Sequence, residues 1–283
     1  MLALVATVML GVSAWIESLE AVGTPGAGVG SRGAPPTGPA PRLPSGKPDL
    51  NGVWMPPYVP DMTRSGRGQL GHAEPPFTPI DTPQARQALY ERGQRSELPF
   101  TPAGLEDWKT YDAANGDYTG SCLPFGLPRS VNAPYPFQLI QTDATVAFLF
   151  EIGNWFHPVS MGTEHPRNPN PTWFGHSVGR WDGDTLVIDT VGFNGYTRLD
   201  TIGHPHSDAL HLVQTLHRTD ADHIAYVMTV EDPKTYEKPW RNERTFTLLE
   251  GPLIEYSCEE NNKSLWEGRI KPWTPPWVQK PAK

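Results

Sequence analysis

Residues 174 to 190 read FGHSVGRWDGDTLVIDT. In the first half Phe174, His176, Val178 and Arg180 alternate with Gly175, Ser177, Gly179 and Trp181, the period of two that a strand produces. Asp182-Gly183-Asp184 follows, an Asp-Gly turn signal between two strand patterns. Thr185 to Thr190 is then rich in β-branched residues, which fit a pleated surface. The stretch predicts a β-hairpin, and the same grammar recurs on both sides of it.

Upstream, Phe137 to Thr142 leads through Asp143-Ala144 to Val146, Phe148, Phe150 and Ile152, which share one face of a second strand. Downstream, Ala209 to Arg218 pairs with Ile224 to Glu231 across Thr219 to His223. Arg244 to Glu250 pairs with Leu253 to Glu259 across Gly251-Pro252. With a strand at Val53 these make about nine, nearly all joined by local hairpins. The pattern predicts a mainly β fold, an antiparallel up-and-down β-barrel with long Pro/Gly-rich loops and one or two short helices, because closure removes exposed edges. A sandwich is the alternative. The helices are expected at residues 82–92 (TPQARQALYER) and 101–110, each opening on Thr-Pro, a cap followed by a proline suited to the first turn.

The chain has 283 residues, with 27 Gly and 32 Pro. Residues 21–48 hold seven of each and no aromatic residue, too little apolar surface to offset the entropy of ordering. The expected organisation is a possible signal peptide at 1–14, a disordered Gly/Pro-rich linker at 15–48, and a single β-barrel domain at 49–283. The signal reading rests on MLALVATVMLGVSA, an apolar run ending in small residues, although only the terminal amine supplies positive charge. It places the protein in a secreted or periplasmic location. Glu17 interrupts the run, so no stable transmembrane anchor is expected.

The 31 acidic against 23 basic side chains give a net charge of -8, and no Lys/Arg cluster suits a phosphate backbone, which excludes a nucleic-acid partner. No Gly-rich motif precedes a helix, so dinucleotide and P-loop sites are excluded. Cys122 and Cys258 allow at most one disulfide. Nothing in the chain sets an oligomeric state.

The triplet Gly52-Val53-Trp54 resembles the first-strand motif of lipocalin-like barrels, where the Trp plugs one end. Trp173 to Val187, with Asp232-Pro233 and Lys238-Pro239-Trp240, is similar to stretches of uncharacterised exported bacterial β-rich proteins. That resemblance implies one intact domain after Leu50 and carries no assigned activity.

Seven of the nine histidines lie between residues 157 and 217. His176 and Arg180 share one strand face and can hold a carboxylate or oxyanion. His211 and His217 share another, opposite Leu210, Leu212 and Leu216, and alternation alone does not choose the inner face. Glu231 ends the next strand within reach of a histidine. Glu151 follows three apolar residues, where burial would raise its pKa into a range useful for proton transfer. The expected function is a small-molecule enzyme using His/carboxylate acid-base chemistry, as a lyase, isomerase or hydrolase, on an apolar or aromatic ligand in a barrel pocket. Its catalytic set is His176, Arg180, His211, Glu151 and Glu231, and it needs no cofactor. One alternative is a non-catalytic lipocalin-like ligand-binding protein. Another is a metal-dependent enzyme in which His204, His206 and His211, with Asp200 or Asp208, hold a divalent ion.

Overall fold

A strand of period two needs a cover for its apolar face, and here the strands cover one another. The computed structural model describes residues 37–57, 61–62, 98–111 and 117–269. Its nine strands are β1 (Gly52–Met55), β2 (Phe137–Gln141), β3 (Thr145–Phe150), β4 (Phe156–Met161), β5 (His176–Asp182), β6 (Thr185–Val191), β7 (His211–Arg218), β8 (His223–Glu231) and β9 (Trp240–Leu249). They pair in sequence order, and β9 returns antiparallel to β1, so the sheet is a closed barrel and not a sandwich. Among the described residues three short α-helices accompany it: α1 (Pro102–Thr110), α2 (Leu127–Val131) and α3 (Lys263–Trp266). None of the described helices is long and apolar enough to cross a membrane.

Strict up-and-down alternation is impossible in a closed ring of nine, because an odd count forces at least one neighbouring pair to run parallel. That pair is β4–β5, with Val159 beside Ser177 and Met161 beside Gly179. The link between them, residues 162–175, must cross from one end of the barrel to the other, and this long crossover proves central to the site.

The strand count of nine agrees with expectation through two compensating corrections. β4, with sequence FHPVSM, carries Pro158 and exposes Phe156, so both its proline and its polarity hide the period. Pro158 lies just before the β4–β5 ladder begins at Val159, where its missing N–H costs no sheet hydrogen bond to β5. Leu253 to Glu259, expected to be a strand, is irregular.

The inner face is filled. Phe137, Phe148, Phe150, Leu186, Ile188, Leu212, Leu216, Tyr226, Met228 and Phe246 are buried there, and Phe137 meets Phe246 edge-on at 5.1 Å. Each such side chain contributes roughly 1.5–3 kcal/mol by leaving water. Several polar groups inside meet one another: Ser177 Oγ lies 2.8 Å from His157 Nε2 and 2.6 Å from Thr190 Oγ1, and Gln214 Nε2 donates to the Tyr226 hydroxyl at 2.8 Å. Burial, with the nearby His176 as a lesser cause, pushes the His157 imidazole down to about 3, so it is neutral.

Trp54 is fully buried at one barrel end, donating from Nε1 to the Leu50 carbonyl at 3.0 Å, with the Arg218 guanidinium 5.0 Å from its ring. Cys122 and Cys258 form a disulfide, with Cα atoms 5.6 Å apart, joining the segment before β2 to the irregular chain after β9. Residues 37–48, expected within the disordered linker, instead lie along the barrel. Arg42 makes a two-pronged ion pair with Asp184, and the Thr37 N–H donates to Asp222. The expected segments at 1–14 and 82–92, and the rest of the linker up to residue 36, lie outside the described residues.

Candidate active site on the outer face

The leucines of β7 decide which way its histidines point. Leu212, Gln214 and Leu216 are buried, so His211, Val213, Thr215 and His217 face outward. On β5 Ser177 is buried and Gly179 faces inward with it, which turns His176, Val178 and Arg180 outward too. The expected location of these groups inside a barrel pocket is therefore corrected: the inner face is taken by the packed core, and the candidate residues share the outer face.

Register brings them together. Val178 faces Asp189 across β5–β6, and Asp189 faces Val213 across β6–β7. His211 faces Glu231 across β7–β8. The 162–175 crossover then folds over this face and delivers His165. His165 Nε2 lies 2.9 Å from Asp189 Oδ1, and His211 Nε2 lies 3.0 Å from Asp189 Oδ2. His165 Nδ1 lies 2.9 Å from His176 Nδ1, and His211 Nδ1 lies 3.3 Å from Glu231 Oε2. The result is a continuous chain, His176–His165–Asp189–His211–Glu231.

Protonation states follow from who must donate. An ionised carboxylate only accepts, so both imidazoles on Asp189 present Nε2–H. His211 faces a carboxylate from each ring nitrogen, an arrangement that favours its imidazolium form. Burial alone would lower its pKa, but Asp189 and then Glu231 outweigh it, and the net direction is upward. Burial would raise Asp189, yet hydrogen bonds from His211 and His165 hold it below the usual carboxylate range. Between the paired Nδ1 atoms of His165 and His176 one proton is shared. His176 Nε2 has no hydrogen-bond partner among the described residues.

Beside Asp189 runs a shallow groove of about 370 Å³, lined by Gly162, Thr163, Val178, Gly179, Arg180, Val187, Asp189 and Val213. Val178, Val187 and Val213 supply its apolar lining, and Arg180, Asp189 and Thr163 its polar side chains. Arg180 is exposed, and its competing partner Asp184 is already held by Arg42.

The remaining expected residues go elsewhere. Glu151 lies beyond the end of β3, where it accepts the Ile254 N–H at 3.0 Å and ties down the C-terminal segment. His204, His206 and His211 do not converge, so the three-histidine metal site is corrected. His206 is buried between the Thr197 hydroxyl at 2.6 Å and the Ser207 carbonyl at 2.9 Å, and burial lowers its pKa. His204 stacks on Trp108 at 4.2 Å and lies 2.6 Å from Asp200 Oδ2. Asp208 pairs with Lys234.

His204 does belong to a different donor set. Single ligand atoms of Asp61, Asp200 and His204 lie within 4.8 Å of one another. Asp200 is also a hub for the chain around it: Oδ1 accepts the N–H groups of Gly203 and His204, and Oδ2 accepts that of Met62. Burial would raise its pKa, but His204 and these donors keep it low and ionised.

Sequence reasoning missed His165 and Asp189, which join the groups it found. His165 stands in the aperiodic segment EHPRNPN, where no pattern assigns a face. Asp189 carried a signal: it is the one carboxylate among the outward β-branched residues of β6, on a strand between those bearing His176 and His211. Comparison with protein-family models, curated proteins and solved structures finds no match. The class of molecule is thus defined by architecture alone, a closed nine-stranded barrel with buried and half-buried His/Asp networks.

Proposed function

We propose that this chain is a small-molecule enzyme performing acid–base chemistry at Asp189 on the outer face of its barrel. The observation that carries the reading is the Asp189 carboxylate taking one imidazole on each oxygen beside a groove. In this reading His211 is the acid: its Nδ1–H faces the exposed Glu231 across a long contact that a substrate can replace. His176 is the base, through its Nε2 lone pair, with His165 relaying the influence of Asp189. The base takes a proton from the substrate, the electron pair left behind shifts along it, and the atom that receives the pair takes the His211 proton. His176 ends protonated and His211 neutral, and exchange with water restores both. This is isomerase or lyase chemistry, worth typically 10²–10⁴-fold per positioned group.

A panel of small ketones, esters and unsaturated acids tests it. The wild-type protein is expected to convert at least one, and Asp189→Asn to lose roughly 10²-fold or more. His217→Gln, on the same sheet face but outside the chain of contacts, is the control expected to retain activity. Tight binding with no turnover would instead support a binding protein.

A second reading, a divalent-metal centre at Asp61, Asp200 and His204, is favoured by the convergence of those donors. Elemental analysis after chelator-free purification separates the two: one metal ion per chain, lost in Asp200→Asn, would support it. The hub of backbone N–H groups on Asp200 supports a structural role and places this reading second. We also propose an exported protein, supported by the Cys122–Cys258 bridge, because disulfides persist in oxidising compartments.

A further inference from the structure

We infer that the outer groove takes a small monoanionic carboxylate with an apolar body, its charged group on Arg180. This rests on the acid–base reading of the same site and names the substrate class that reading leaves open. Arg180 faces Val187 across β5–β6, and Val178 faces Asp189, so the four residues form one square of the sheet. The Arg180 cation and the Asp189 carboxylate occupy opposite corners, roughly 7–8 Å apart at the backbone. Val178 and Val187 occupy the other two corners, and Val213 extends the apolar lining on the far side of Asp189.

Among the described residues Arg167, Arg180 and Arg241 are the arginines without a hydrogen-bond or ion-pair partner, and of these Arg180 is the one that lines the groove. Arg42, Arg129, Arg198 and Arg269 each face a carboxylate, of Asp184, Asp117, Asp107 and Glu267. Arg218 is taken by backbone carbonyls, and Arg244 by Asn132 and the Glu243 carbonyl. Arg180 has no ion-pair partner among the described residues, although the chain is acidic overall and Asp182 and Asp184 belong to its own hairpin. A guanidinium left free beside a groove offers the planar fork that matches a carboxylate. A dianion such as phosphate is disfavoured, because Asp189 lines the same groove and Arg180 is the one cationic side chain among its lining residues. The groove, at about 370 Å³, lies at the small end of ligand sites, roughly 300–1,000 Å³, and suits a body the size of benzoate or hexanoate.

The test is an NMR binding titration of the full-length protein with benzoate and hexanoate, with benzamide and hexanamide as neutral matches, and with inorganic phosphate. The carboxylates are expected to bind about tenfold or more tightly than their amides. Arg180→Gln should erase that preference and Arg180→Lys should restore part of it. Equal affinity for acid and amide, a preference surviving in Arg180→Gln, or tighter binding of phosphate would overturn the inference. Asp189→Asn separates this from the parent reading, since it should keep the carboxylate preference while losing turnover. Unchanged turnover in Asp189→Asn with Arg180 selectivity intact would refute the acid–base role and leave the anion site standing.

Discussion

Between Val187 and Val191, Asp189 projects a carboxylate from the outer face of β6, and His165 and His211 each meet one of its oxygens. His211 has its pKa raised above the ordinary 6.5, so the contact contributes stability that is full below 6.5 and is lost as pH rises through the raised value. Asp189 is lowered from 3.8, so its contribution is present above 3.8 and is lost as pH falls through the lowered value. The pair is strongest between those limits. Histidine NMR titration is expected to place His211 above 6.5 in the wild type and to bring it down in Asp189→Asn; an unmoved His211 would contradict the pairing. Activity that needs the imidazolium should fall on the alkaline side of that same titration. Three members of the chain of contacts, His176, His211 and Glu231, were legible in the sequence because strand period assigns each to a face. His165 was not, because it reaches the site from an irregular crossover whose path depends on the whole barrel. Glu151 was misjudged because the strand ends at Phe150, two residues short of the expected Ile152, and its side chain accepts the Ile254 N–H instead.

Among the elements, β5 shows how local backbone chemistry serves the site. Gly175, immediately before His176, has φ +71, and a Cβ there would stand 2.8 Å from the Val191 carbonyl oxygen. Gly175→Ala is expected to cost about 1–3 kcal/mol from left-handed backbone and overpacking, and to lower turnover because it displaces His176. Gly183, at the hairpin turn, also has positive φ but open space around it. Gly183→Asn should therefore be tolerated within about 0.5–1 kcal/mol, since Asn accepts that conformation. Thermal unfolding of both variants checks the contrast, and equal losses would contradict it. The β5–β6 hairpin was legible because its turn and its period agree. β4 was not, because Pro158 and the exposed Phe156 oppose the period that the buried His157 and Val159 obey.

At the scale of the molecule, the barrel is a filled scaffold that carries its candidate site outside. Closure was legible from consecutive hairpins, but the parallel pair follows from an odd strand count, and the filling of the interior from side-chain volumes that a linear pattern does not add up. The disulfide spans 136 residues, for which chain entropy suggests up to about 5 kcal/mol of stabilisation. Cys122→Ser with Cys258→Ser is expected to lower the melting temperature substantially while leaving the β-sheet circular dichroism of the barrel intact; loss of the sheet signal at room temperature would show that the bridge is required for closure. In the proposed function the outer face moves protons at Asp189. Proton NMR in D2O, following small carboxylates and ketones for solvent deuterium replacing substrate C–H, tests it most directly. Exchange is expected in the wild type and reduced roughly 10²-fold or more in Asp189→Asn; no exchange in any substrate, or equal exchange in the two proteins, would refute proton transfer at this face.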